Sequence, residues 1–343
     1  MEDSNLFHPH HVLEVSDLSE RDIYNILELS GDKNPQPVLK GKGVALIFEH
    51  PSARTRNAAE MAVFQLGGHP ITISGQEIGI DKRETAEDIA RVLARFHSLI
   101  GARVTDHNVL TRMASAVDRS DKYVPIVNLL SDRDHVTQVL ADLLTIKQRF
   151  GTIKDVNVTY IGDPNNVCSS LFHAAKIMGF GLAIAAPDKY LQKAVFIREA
   201  FQSSHNRDSE QLPGNMGVSS HEIKWGFPLK SAENISIFDD PFLAVQNADV
   251  LYTDVFVSMG EEEIALEKRR DFKGYTIDKN LLEHAKKTSV VMHCLPAHRG
   301  EEISDEVFES PKSLVFDQAE NRMHAMRGLF AYLIAGYGST ERS

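Results

Sequence analysis

The chain predicts an α/β protein of two doubly wound parallel-sheet domains linked by interdomain helices. Three observations carry that expectation. At 343 residues the chain is longer than one ordinary domain. Short apolar runs of strand type alternate with segments of helical period, the pattern of a parallel sheet covered by helices. The plan also appears twice, once from Gly43 and again from Val156, each time at the length of a strand–helix–strand unit. Two helices are expected to cross between domains, one after His135 and one from about Gln318. The expected division is therefore residues 1–147 plus 319–343 for the first domain and 148–318 for the second.

In chain order, residues 1–15 read as a solvated, histidine-rich terminus (His8, His10, His11). Ser19 and Asp22 form a capping pair for a helix reaching Ser30, with Ile23, Ile26 and Leu27 on its apolar face. Gly43–Phe48 reads as a buried strand and Asn57–Leu66 as the helix after it, closed by Gly67-Gly68. Pro70–Ile73 is a short strand, residues 74–84 a polar loop, and Thr85 with Asp88 caps a helix to about Phe96. Strands follow at Leu99–Val104 and Val124–Leu130, then a long amphipathic helix stopped by Gly151. In the second half, strands are expected at Val156–Ile161, Gly181–Ala186, Ile235–Phe238, Ala248–Asp254 and Ser289–Cys294. Val167–Met178 reads as a helix, and a last helix runs from about Gln318 to Ala335. Residues 203–220 read as an exposed polar loop; neither they nor Trp225 suggest a role.

Composition narrows the function. The net charge of −11 disfavours nucleic acid and membrane surfaces as partners. The two cysteines, Cys168 and Cys294, make no disulfide framework and fit a reducing compartment. The acidic start, Met1–Asn5, lacks the apolar stretch of a secretory signal, and no apolar run is long enough for a bilayer. A cytoplasmic protein is expected.

Chemistry-bearing side chains cluster where strands end. Ser52-Ala53-Arg54-Thr55-Arg56 lies where a strand hands over to a helix. Unpaired N–H groups and the helix dipole there favour an anion, and two guanidinium groups add to it. Against this stands an ordinary cap beside two surface arginines. Arg103, His135 with Gln138, Asn166, Asp254 with Ser258, Cys294 and Arg322 occupy corresponding strand ends or helix starts. In open parallel sheets such edges bind ligands. Taken singly, His135 reads equally as a cap or core histidine, Cys294 as an inert buried thiol and Asp254 as a loop cap. Taken together they suit a phosphorylated anion and an amine. The glycine-rich dinucleotide fingerprint is absent from the turn Gly162–Asn166, which counts against an oxidoreductase.

These residues resemble the aspartate/ornithine carbamoyltransferase family. Ser52–Arg56 is similar to its Ser-Thr-Arg-Thr-Arg carbamoyl-phosphate signature, and His135-Val136-Thr137-Gln138 to its His-Pro-x-Gln motif. Asp254–Gly260 resembles the Asp-x-x-x-Ser-Met-Gly loop, and His293-Cys294-Leu295-Pro296 the His-Cys-Leu-Pro motif of the ornithine-using branch. Glu320-Asn321-Arg322 fits too, and the likeness runs in order from about residue 11 to the C-terminus.

The resemblance implies transfer of the carbamoyl group of carbamoyl phosphate to the δ-amine of L-ornithine, giving L-citrulline and phosphate. It implies catalytic roles for Arg103, His135, Cys294 and Arg322. Carbamoyl phosphate would be held by Ser52, Ala53, Arg54, Thr55, Arg103, His135, Gln138, Cys294, Leu295 and Arg322. Ornithine would be held by Asn166, Asp254, Ser258 and Met259. No metal or organic cofactor is implied, and the family assembles as trimers or their multiples. A carbamoyltransferase for another amine, such as putrescine or N-acetylornithine, and a non-catalytic binding relative are the alternatives. Three departures stand out. Ala53 replaces a threonine and Val136 a proline. Glu77 sits where many relatives carry a glutamine that reaches a neighbouring subunit's phosphate, leaving Gln76 or Lys82 as substitutes.

Overall fold

A computed structural model describes residues 11–198, 234–258 and 260–340. Residues 203–220, Trp225, His8, His10 and Met259 lie outside the described residues. The chain separates into two compact units, residues 1–151 with 316–343, and residues 152–315.

In the first unit the strands are β1 (Gly43–Phe48), β2 (His69–Ser74), β3 (Ile100–Arg103) and β4 (Ile126–Leu130). They form one parallel sheet in the order β2-β1-β3-β4. Its helices are α1 (Glu20–Gly31), α2 (Ala53–Gln65), α3 (Gly75–Ile78), α4 (Ala86–Phe96), α5 (His107–Asp118) and α6 (Val136–Phe150), with the C-terminal helix Val315–Thr340. The core forms where small and branched strand residues meet helix faces: Ala45, Ile47, Ile100, Ala102 and Ile126 pack on Ile89, Ala90, Leu110 and Met113. Each fully buried Ile, Leu or Met side chain here contributes about 1.5–3 kcal/mol relative to exposure, and each alanine less.

The second unit holds β5 (Asn157–Ile161), β6 (Gly181–Ala185), β7 (Ile235–Phe238), β8 (Val250–Thr253) and β9 (Val290–His293). This sheet is also parallel, in the order β7-β6-β5-β8-β9. The helix α7 (Asn166–Met178) follows β5, capped by Asn165 and closed by Gly179 in the left-handed region.

Several local expectations are corrected. α2 begins at Ala53 rather than Asn57, because Ser52 caps it, its hydroxyl accepting from the Thr55 N–H at 3.4 Å. The stretch 74–84 contains the single-turn helix α3. α5 joins β3 to β4, where no element was expected. α6 is not amphipathic: Val136–Ile146 is buried on every side. His11 is not a solvated group, since its Nδ1 accepts the Ile126 N–H at 3.0 Å and Nε2–H faces Asp118 at 3.0 Å.

The C-terminal helix returns to the first unit and docks on α1. Arg327 donates to the Ser30 and Asp32 carbonyls at 2.7 and 2.6 Å, which serves the unpaired end of α1. Gly328 permits the approach: a Cβ there would lie 2.4 Å from the Ile26 carbonyl oxygen. The Tyr332 hydroxyl donates to Asp22 at the other end of α1.

Candidate active site

Each sheet has one point where strand order reverses, between β1 and β3 in the first unit and between β5 and β8 in the second. Ligands of doubly wound sheets bind outside the carboxyl ends of the strands at that point. In the first unit the two flanking strands deliver the Ser52–Arg56 turn and Arg103. In the second they deliver Asn165-Asn166 and Asp254.

The first unit's group centres on Thr55, which is fully buried. Its hydroxyl oxygen accepts from Arg322 Nη2 at 2.8 Å and lies 3.5 Å from Arg103 Nη1. Arg103 ends β3 at a register shift against β4 and is 7% exposed. Among the described residues no carboxylate pairs with it, and its buried Nε has no hydrogen-bond partner. Burial, and then the charge of Arg54, lowers its pKa. Arg54 itself makes no hydrogen bond or ion pair among the described residues, whereas Arg56 is tied to Glu60 at 2.8 Å. Buried cations without counter-ions are costly, and an anion would relieve that cost.

His135 stands at the cap position of α6 with no ring-to-backbone cap bond; its Nδ1 lies 3.5 Å from Thr137 Oγ1, and it is 5% exposed. Burial first, then Arg322, Arg103 and Arg54, hold its pKa well below the ordinary 6.5. That direction favours the neutral imidazole at physiological pH. The buried amide of Asn128 braces its loop, donating to Ser131 Oγ at 3.1 Å and to the Asp134 carbonyl at 3.2 Å. Val136, at the first helical position, is buried in the place that suits proline equally well. Gln138 donates through Nε2 to Asp142 at 2.9 Å, which leaves its buried Oε1 as an unoccupied acceptor. Gln318 reaches the same Asp142 oxygen at 2.7 Å.

In the second unit Asp254 follows β8 and is 7% exposed. Its Oδ2 accepts from Asn165 Nδ2 at 2.7 Å, and its Oδ1 from the Val255 N–H at 2.8 Å and the Cys294 thiol at 2.9 Å. Asn165 caps α7 through Oδ1, so one side chain fixes both the helix start and the acid. Asn166 opens α7 beside it. Cys294 leaves β9 into a turn where Leu295 has φ +62° and the Leu295–Pro296 bond is cis. The turn is pinned by His293. Its Nδ1 accepts the Leu295 N–H at 2.9 Å, so Nε2 carries the proton and donates to the buried Glu302 at 3.0 Å. Asp254, His293 and Cys294 are close enough together for one ion. Those two bonds, however, already engage both ring nitrogens of His293. Cys168 is a different thiol, fully buried in α7, its pKa pushed well up by burial.

The structure thus brings Ser52, Ala53, Arg54, Thr55, Arg103, His135, Gln138 and Arg322 into one unit, and Asn166, Asp254, Ser258, Cys294 and Leu295 into the other. Met259 lies outside the described residues. Glu77 is on α3, exposed, its N–H on Ser74 Oγ and its carbonyl taking Arg83 at 2.9 Å. It lines an open cavity of about 330 Å³ with Ile73, Ile78, Ile89 and Leu93, and none of the anion-facing residues lines that cavity. Sequence reasoning missed Asn128, Asn165, Glu302 and Gln318. Asn165, adjacent to the expected Asn166 and at a helix start, carried a readable signal; Gln318 acts through Asp142, 176 positions away.

Two parallel-sheet units, one presenting unpaired guanidinium groups and the other an acid–thiol pair, define a group-transfer enzyme that handles an anion and an amine. The chain belongs to the aspartate/ornithine carbamoyltransferase family. Residues 10–148 match that family's carbamoyl-P binding domain, and residues 224–333 its Asp/Orn binding domain. An ornithine carbamoyltransferase of Methanococcus aeolicus is 39% identical over 332 residues, covering 95% of this chain and 99% of that one. The solved ornithine carbamoyltransferase from Pyrococcus furiosus is 37% identical with a TM-score of 0.79, over 96% of this chain and 98% of that one. The solved ornithine carbamoyltransferase from Thermus thermophilus is 33% identical with a TM-score of 0.76, over 95% of this chain and 99% of that one.

Proposed function

We propose that the chain transfers the carbamoyl group of carbamoyl phosphate to the δ-amine of L-ornithine, releasing L-citrulline and phosphate. The observation that carries the reading is the buried group of Arg103, Arg322 and Thr55, with Arg54 beside it and no carboxylate paired to Arg103. In this reading the phosphate takes the Ser52 and Thr55 hydroxyls, the free N–H groups of α2 including that of Ala53, and Arg54. Arg103 and neutral His135 donate to the carbamoyl oxygen, where negative charge grows as the tetrahedral intermediate forms. The open acceptor on Gln138 takes the carbamoyl amide. Arg322 and the Leu295 carbonyl are further groups assigned to carbamoyl phosphate.

Ornithine's α-carboxylate is assigned to Asn166 and the Met259 backbone, its α-ammonium to Asp254 and Ser258. Cys294, held by Asp254, orients the neutral δ-amine. The amine lone pair attacks the carbamoyl carbon, the carbon–oxygen bond to phosphate breaks, and the proton lost by the amine nitrogen leaves with the phosphate. Positioning and charge stabilisation supply the rate.

A ureido-product assay with carbamoyl phosphate and ornithine, putrescine, N-acetylornithine, lysine and aspartate tests the reading. Citrulline forming far faster than any other product is expected; turnover of another amine instead would keep the reaction and overturn the acceptor. The same reading includes a cytoplasmic homotrimer. Two free thiols and the exposed apolar residues Met61, Phe64, Ile71 and Phe96 of the first unit support it. Sedimentation is expected to give three times, or a multiple of three times, the 38.3 kDa chain.

A further inference from the structure

We infer that Lys268 is a positioning residue for the amino-acid half of the reaction, its buried ammonium locking the Ser258 turn to the Asp163–Asn166 turn. The inference rests on the carbamoyl-transfer reading above. Lys268 lies on the helix Ala265–Asp271 and is 2% exposed. Its Nζ donates to Asp163 Oδ2 at 2.7 Å and to Glu261 Oε2 at 2.6 Å. That same Glu261 oxygen accepts the Ser258 N–H at 2.9 Å, and Glu261 N–H returns to the Ser258 carbonyl at 3.2 Å. On the other side, the Asp163 carbonyl accepts the Tyr160 hydroxyl at 2.8 Å, and that hydroxyl lies 3.3 Å from Asn165 Oδ1. Asn165 in turn holds Asp254 at 2.7 Å. One lysine therefore joins the two turns that carry Ser258 and Asn166, and reaches Asp254 through the second.

An ion triad around a buried ammonium adds little net stability over well-packed apolar side chains, so stability alone does not account for it. Geometry does. A compact ammonium with three donors can satisfy two carboxylates from separate turns at once. The ring of Tyr190, 5.6 Å away, seats its charge. Burial raises the Asp163 carboxyl pKa, and Lys268 pulls it back toward the ionised form that the bridge requires.

The test compares wild type with Lys268→Met, Lys268→Arg and Glu261→Gln. Steady-state kinetics are read beside calorimetric titration of ornithine in saturating inorganic phosphate, and of inorganic phosphate alone. Lys268→Met is expected to raise the ornithine KM and Kd at least tenfold, with kcat changed less than threefold and phosphate affinity unchanged. Lys268→Arg is expected to recover most of the loss, and Glu261→Gln to show a smaller shift of the same kind. Unchanged ornithine affinity, or an equal fall in kcat and in phosphate affinity, would overturn the assignment. Should Lys268→Met fail to fold, Glu261→Gln decides by the same ornithine titration. Wild-type protein that binds ornithine without forming citrulline would sink the reaction reading and leave the lysine's role to be judged by affinity. Wild-type protein that does not bind ornithine would overturn both.

Discussion

The two units handle charge in opposite ways. In the first, Arg103 is buried with no carboxylate paired to it among the described residues, so positive charge is left over. In the second, every buried charge described near the strand ends is answered: Lys268 by Asp163 and Glu261, Asp254 by Asn165, the Val255 N–H and a thiol. A site that is to receive a multiply charged anion gains by holding back its counter-ions, because the ligand then supplies them. A site for an amino acid, which carries both signs, gains more by fixing its own dipoles in place. The difference teaches that unpaired charge marks where the ligand dominates, and paired charge where the protein does.

The contrast breaks most visibly at Arg54. Arg54→Gly removes a charge-assisted contact to phosphate, and each such bond is worth about 1.5–3 kcal/mol. With the rearrangement of a multidentate site, carbamoyl-phosphate affinity is expected to fall more than 100-fold in calorimetric titration. Near-normal affinity would remove Arg54 from the anion site. Next in size is Asp254→Asn, which keeps the shape and deletes the charge facing the α-ammonium. Ornithine kcat/KM is expected to drop about 100-fold, with phosphate affinity intact in the same titration. Cys294→Ala is smaller, about tenfold in ornithine kcat/KM; an equal loss of carbamoyl-phosphate affinity would move the thiol to the other half of the chemistry.

The smallest effect is on stability. His135 is held neutral when folded, with its pKa well below 6.5. The unfolded chain therefore binds a proton there first as pH falls. Its contribution is fully present above about pH 6.5 and is lost as the pH drops from there toward the folded value. His135→Gln is expected to flatten that acid-side decline in urea unfolding between pH 7.5 and 5. An unchanged slope would show that the ring is not buried neutral; His97 and His107, also lowered mainly by burial, supply the remaining slope.

Much of this organisation was legible before any coordinates. The Ser19–Asp22 cap, the apolar run Gly43–Phe48 and the motif at Ser52 are local signals, and the strands and caps formed where propensity and pattern agreed. α5 also carries a legible signal, with Asp106 as cap and Val109, Leu110, Met113 and Val117 at helical spacing. It begins so soon after a four-residue strand that the two merge in a strand-to-strand reading. What the sequence hides is partnership at long range. Arg322 meets Thr55 across 267 positions, and Lys268 meets Asp163 across 105. Nothing in either neighbourhood names the other, because only the closed fold brings them together.

The C-terminal helix gives that separation a meaning in time. A ribosome that has released residues 1–151 has made every strand of the first sheet and all of its anion-facing groups but one. Arg322, the Arg327 clasp on α1 and the close fit at Gly328 arrive only after the second unit has emerged. The nascent first unit therefore lacks a cation it will use and a helix that will cover α1. On the proposed reading, competence to hold carbamoyl phosphate is the last property synthesis confers, and a chain cut short before that helix would be left with an incomplete trap.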